Sequence, residues 1–76
     1  MSREFNPETA NVLPNGAQIL QRCKVNGCWV WLANWDGHYQ SYVTWLSNET
    51  SPGETYWGHY FESVELAELD FAERCL

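Results

Sequence analysis

Positive charge is scarce in this chain, and after Asn48 it almost vanishes. Residues 49–76 hold Glu49, Glu54, Glu62, Glu65, Glu68, Asp70 and Glu73 against Arg74 alone. Residues 1–48 balance Arg3, Arg22 and Lys24 against Glu4, Glu8 and Asp36, so the formal net charge of −6 sits in the last third. A surface of that sign opposes phosphate backbones and steers cationic partners. The plainer use of the same acids is to keep a small, aromatic-rich protein soluble.

Long apolar runs are also missing. No stretch of about 18 apolar residues occurs, so no membrane-spanning helix is expected. The opening residues M-S-R-E-F-N-P-E carry no apolar signal core, which points to the cytoplasm. Cysteine is sparse and odd in number, at three, which without a secretory route favours free thiols. On the strand register derived below, Cys23 and Cys28 lie diagonally on one face, about 7–8 Å apart. That is beyond the reach of an unstrained bridge, so all three thiols are expected to be reduced. Asn48-Glu49-Thr50 fits a glycosylation acceptor, but with no secretion expected the match is incidental.

Catalytic signatures are lacking too. His38 and His59 are the only histidines, and neither sits in a nucleophile or base motif. The acids near the carboxyl terminus have none of the apolar surroundings that raise a carboxyl for general-acid work. Cys23, Cys28, Cys75 and His59 do not have the spacing of a zinc knuckle. No enzymatic activity, metal or cofactor is therefore expected.

Turn chemistry and aromatic side chains are abundant. Asn26-Gly27 and Asp36-Gly37 are strong hairpin signals, because both central residues of a type I′ turn need φ > 0. Val, Trp, Tyr, Leu and Thr flank them and suit a pleated surface. Strands are expected over about residues 17–25, 28–35, 38–47 and 55–61. With two-residue loops, Val25 pairs with Cys28 and Cys23 with Val30, while Ala33 pairs with Gln40 and Trp31 with Tyr42. One face then collects Ile19, Cys23, Val25, Cys28, Val30, Leu32, Tyr39, Val43 and Trp45, a natural core. The other collects Leu20, Arg22, Lys24, Trp29, Trp31, Trp35, His38, Gln40, Tyr42 and Thr44. There Arg22 and Lys24 oppose Trp31 and Trp29 as cation–π pairs. Gly58, inside the fourth strand, signals a bulge or the close approach of something bulky.

A helix follows, with Ser63 as its N-cap and Glu65 in its first turn. Val64, Ala67, Phe71 and Cys75 share its core stripe at 100° per residue. The expected fold is α+β: a four-stranded antiparallel meander over residues 17–76 with one carboxyl-terminal helix on a sheet face, preceded by an irregular arm, residues 1–16. A chain of 76 residues is near the lower limit for a single core. Its five Trp, four Tyr and three Phe compensate, each burying roughly 150–250 Å². The aromatic face must be covered by the arm, by a second copy in a homodimer, or by a ligand.

Y-V-T-W at Tyr42–Trp45, Y-W-G-H-Y-F at Tyr56–Phe61, and Ala67 followed by Asp70-Phe71 and Arg74 resemble a pattern in small uncharacterised proteins of phages, plasmids and other mobile elements. The resemblance covers roughly residues 38–75. It implies strands followed by a helix and a mobile-element setting, and it brings no activity and no catalytic residues. Glu68 departs from it, standing where that pattern places an apolar residue, so the Leu66 and Leu69 face is particular to this chain.

Two surfaces are candidates for binding. Glu65, Leu66, Leu69, Asp70 and Glu73 form the helix face turned away from the core stripe, suited to a host protein with a basic, nucleic-acid-binding surface. Trp29, Trp31, Trp35 and Tyr42 with Arg22 and Lys24 form the alternative, a stacking platform for single-stranded nucleic acid or a peptide. The first reading makes the protein a non-catalytic inhibitor of a defence complex, of the anti-CRISPR or anti-restriction kind.

Overall fold

Asn26 and Gly27 both adopt left-handed backbone, with φ of 51° and 80°, and so close the tight hairpin that their types demand. This hairpin joins β1 (Gln18–Val25) to β2 (Cys28–Asn34), and β3 (Tyr42–Asn48), β4 (Thr55–Phe61) and the helix α1 (Val64–Arg74) follow. The computed structural model describes residues 5–37 and 39–76. The strands form one antiparallel sheet in chain order, and α1 crosses one of its faces.

Register in the first hairpin follows the two-residue turn from Val25↔Cys28 to Gln21↔Leu32. It then slips at Leu20, and Ile19 pairs with Ala33. The extra residue turns Ile19 away from the helix side and packs it against the aromatic cluster.

The second hairpin departs from expectation. Asp36 is not among the residues with positive φ, so a type I′ turn, which needs two, cannot form at Asp36-Gly37. Instead the Trp35 N–H donates to the Ser41 carbonyl at 2.7 Å and closes a longer loop. A two-residue turn there would pair Trp35 with His38, which lies outside the described residues. Trp31 pairs with Trp45, not with Tyr42, a shift of three positions. Because the shift is odd, every β3 side chain changes face. Val43 and Trp45 join the Trp29 and Trp31 side, while Tyr42, Thr44 and Leu46 lie under the helix.

Two cores result. Beneath α1, Val30, Leu32, Ala67 and Phe71 are buried, with Cys23, Tyr42, Leu46, Phe61 and Cys75 packed around them. On the opposite face Trp29, Trp31, Ala33, Val43 and Trp45 are buried with Ala17 under the arm residue Leu13, with Phe5, Ile19 and Trp35 alongside. Stacked indoles of Trp29 and Trp31 lie 5.4 Å apart, and Phe5 meets Trp31 edge-on at 5.7 Å. The arm is fastened by an Arg22 Nη1 donation to the Pro7 carbonyl at 2.8 Å and by the Val12↔Gln18 bridge. It is the arm that covers the aromatic face, and the reason for expecting a second copy there is removed.

The expectation of three free thiols is overturned. Cys23 on β1 and Cys75 at the end of α1 form a disulfide, with Cα atoms 6.5 Å apart, and Cys28 alone is free. Cys75 shares the stripe of Ala67 and Phe71, and that stripe packs on the face that carries Cys23. Cys23 and Cys28 are indeed unbridged; the partner of Cys23 is the helix-end Cys75.

Gly58 meets both parts of its expectation. Thr44 pairs with His59 and Leu46 with Tyr56, so Trp57 and Gly58 together oppose Trp45, which is a β-bulge. The Trp45 indole lies on Gly58, where a β-carbon would stand 2.7 Å from its Nε1.

Candidate functional site

Helix α1 starts where Ser63, in extended conformation, accepts the Leu66 N–H at 3.2 Å through its hydroxyl oxygen. That hydroxyl also donates to Glu65 at 3.0 Å, and Glu65 itself stands in the first turn, where a negative charge complements the helix dipole. The last turn ends with the Cys75 N–H donating to the carbonyls of Phe71 and Ala72. Ala67 and Phe71 anchor the inner face, so the outer face is fixed by the 100° step.

That outer face presents Leu66 and Leu69, 53% and 65% exposed, among the exposed acids Glu65, Glu68 and Glu73. Arg74, the helix's one cation, turns inward and packs its Nε 3.4 Å from the Asp70 carboxylate. Among the described residues, no ion pair involves Glu54, Glu62, Glu65, Glu68 or Glu73. The face is therefore apolar at its centre and negative around it.

Asp70 does not belong to this face. It points at the sheet, where the buried Thr44 hydroxyl donates to its Oδ2 and His59 Nδ1 lies 3.0 Å from the same oxygen. Burial pushes the Asp70 carboxyl up, but the Thr44 hydroxyl, His59 and Arg74 outweigh it and hold the group below its ordinary value. Arg74 is also held below its ordinary value, for a different reason. Burial lowers its guanidinium, and the attraction of Asp70 only partly offsets this. The carboxylate thus ties α1 to β3 and β4.

A histidine oriented by a carboxylate resembles part of a general-base arrangement. The one hydroxyl in this network, that of Thr44, donates to Asp70 and is fully buried, so it offers no nucleophile. Among the described residues, no group of three or more His, Cys, Asp or Glu side chains could hold a metal ion.

The alternative aromatic surface is dispersed by the fold. Trp29 and Trp31 are buried, Trp35 meets Trp45 edge-on at 5.1 Å, and Tyr42 lies on the helix side. Arg22 and Lys24 do sit over Trp31 and Trp29, at 5.8 and 5.9 Å, so these cation–π pairs are internal. No base could stack on this platform while the arm is in place.

Sequence reasoning missed two features. Thr44 and His59, the partners of Asp70, depend on the β3 register, which leaves no local signal, and on the β4 bulge, whose presence Gly58 marks but not which side chains it aims. Tyr56, Trp57 and Tyr60 leave large aromatic surfaces exposed on β4; Gly58 was the available hint. No protein-family model matches the chain, and no curated protein or solved structure is significantly similar to it. No helix among the described residues is long and apolar enough to cross a membrane.

Proposed function

We propose that the chain is a non-catalytic, acidic protein-binding module whose helix α1 docks on a basic, nucleic-acid-binding surface of a partner protein. In its specific form the proposal is that a mobile element uses it to occupy a host defence complex, of the anti-CRISPR or anti-restriction kind. One observation carries the docking surface: Leu66 and Leu69 stand exposed among Glu65, Glu68 and Glu73, with the helix's cation turned inward. Acids at the rim supply orientation and on-rate, and leucines at the centre supply desolvated contact. The mobile-element setting rests on the resemblance alone.

A cytoplasmic site of action belongs to the proposal as well. The Cys23–Cys75 disulfide weighs against it, because such bonds are rare in the reducing cytosol.

The test is charge reversal on the outer face. Glu65→Lys with Glu73→Lys leaves the core stripe and Asp70 untouched, so the far-UV spectrum should match that of the parent, and the melting point should fall only by what the lost Glu65 interaction with Ser63 and the helix dipole contributes, about 0.3–1 kcal/mol. Partner binding should fall, and parent binding should weaken with salt, since exposed charges are screened over about 8 Å at physiological ionic strength. Undiminished binding by a folded double variant would refute the proposal.

A further inference from the structure

Trp57 combines two unfavourable features. Its φ is +53°, in the left-handed region, which costs a non-glycine residue roughly 1–2 kcal/mol. Its indole is also 72% exposed, on the outermost strand of the sheet. The bulge at Trp57 and Gly58 accounts for both, because it seats Gly58 under Trp45 and re-aims the preceding side chain, Trp57. Tyr56, also exposed, stands edge-on to Trp57 with ring centroids 5.3 Å apart. Backbone strain concentrates at ligand-binding positions, and here it holds an aromatic pair in solvent.

The acids at the two ends of β4 favour a cationic ligand. Glu54 precedes β4 and Glu62 follows it, and neither is in an ion pair among the described residues. The three described cations are all engaged within the chain: Arg22 by the Pro7 carbonyl, Lys24 by Glu49 at 3.8 Å, and Arg74 by Asp70. A net charge of −6 disfavours a phosphate-bearing ligand. A second copy is disfavoured as well, because antiparallel pairing of β4 with itself would set Glu54 against Glu62 of the other chain. A cationic side chain satisfies both the ring faces and the acids.

We propose that the Tyr56–Trp57 pair on β4 is a docking site for a basic segment of a partner protein, with an arginine or lysine side chain over the Trp57 indole and Glu54 and Glu62 attracting its flanking cations. The chain already uses this chemistry internally, at Arg22–Trp31 and Lys24–Trp29. The site is separate from the outer face of α1 and stands or falls independently of it.

The probe is a capped hexapeptide of alternating Arg and Ser, titrated into the isotopically labelled full chain and followed by NMR. A twin with citrulline in place of Arg keeps the planar side chain and loses the charge. The Arg peptide should shift the Trp57 indole and Tyr56 ring resonances first, and the citrulline twin should leave them in place. Trp57→Leu should weaken the Arg peptide about two- to fivefold, the range of an exposed cation–π contact. Glu65→Lys with Glu73→Lys should leave the Trp57 shifts unchanged. Equal shifts with both peptides, shifts confined to α1, or loss of the Trp57 shifts in the helix variant would overturn the assignment. So would stronger binding at Trp57 by oligothymidylate or by a neutral oligosaccharide.

Discussion

Removing the Cys23–Cys75 disulfide is the sharpest test of how this fold is held. The bond joins residues 52 positions apart, linking edge strand β1 to the end of the last element. Closing a loop of that length restricts the unfolded chain by about 4 kcal/mol on the loop-entropy account. Alone, an 11-residue helix is too short to persist in water, and α1 buries only Ala67 and Phe71 fully. For a domain of this size, 4 kcal/mol corresponds to a melting-point loss of roughly 15–30 °C. The perturbation is Cys23→Ser with Cys75→Ser, a double change that avoids leaving a new thiol beside Cys28. Thermal unfolding by far-UV circular dichroism measures the loss, and reduction of the parent should reproduce it. Alkylation of the unfolded parent without reductant should label Cys28 alone, and all three cysteines after reduction. Labelling of three thiols without reductant, or a double variant melting with the parent, would refute the reasoning.

Three further outcomes follow from the geometry. Asp70 is held below its usual 3.8, so its stabilising contribution is present above that pH and is lost as pH falls through the lower folded value; Asp70→Asn should destabilise at neutral pH, and the gap from the parent should narrow below about pH 4 in acid titrations of unfolding. Gly58→Val would press its β-carbon to within 2.7 Å of Trp45 Nε1 and 2.9 Å of Cδ1, so denaturant melts should show a loss of about 1–3 kcal/mol or no folded state at all. Gly27→Val should be more damaging than Gly37→Val: both glycines have positive φ, but Gly27 is half of a two-residue turn that has no room to adjust, whereas Gly37 lies in a longer loop with open space around it, and equal melting points would contradict this.

Legibility in the sequence followed the range of each interaction. The β1–β2 turn, the β4 limits, the Ser63 cap and the Ala67–Phe71–Cys75 stripe are local, and each was readable from a few adjacent residues. The β2–β3 register was not, because Asp36-Gly37 suits a longer loop as well as a tight one, and three positions of slip reverse the face of all β3 side chains. That single error hid Thr44 beneath the helix and placed Trp45 on the wrong side. Asp70 was misread for a related reason. Helical spacing puts it beside Glu73, but whether it meets solvent depends on what β3 and β4 place beneath it, here Thr44 and His59. The disulfide required Cys75, just past the end of α1, to reach β1 across 52 positions of sequence, the longest-range fact in the fold. Of the candidate helix face, Glu65, Leu66, Leu69 and Glu73 do lie outward, because they depend only on helix periodicity and on the buried stripe opposite.

The central claim is that the outer face of α1 occupies a nucleic-acid-binding surface, and competition measures it directly. The immobilised parent chain is exposed to a host lysate, and the retained protein is purified and bound again with and without duplex or single-stranded competitor. The retained protein should bind nucleic acid, be displaced by it, weaken with salt, and be lost with Glu65→Lys and Glu73→Lys. A partner held equally by the double variant, and indifferent to nucleic acid, would contradict it.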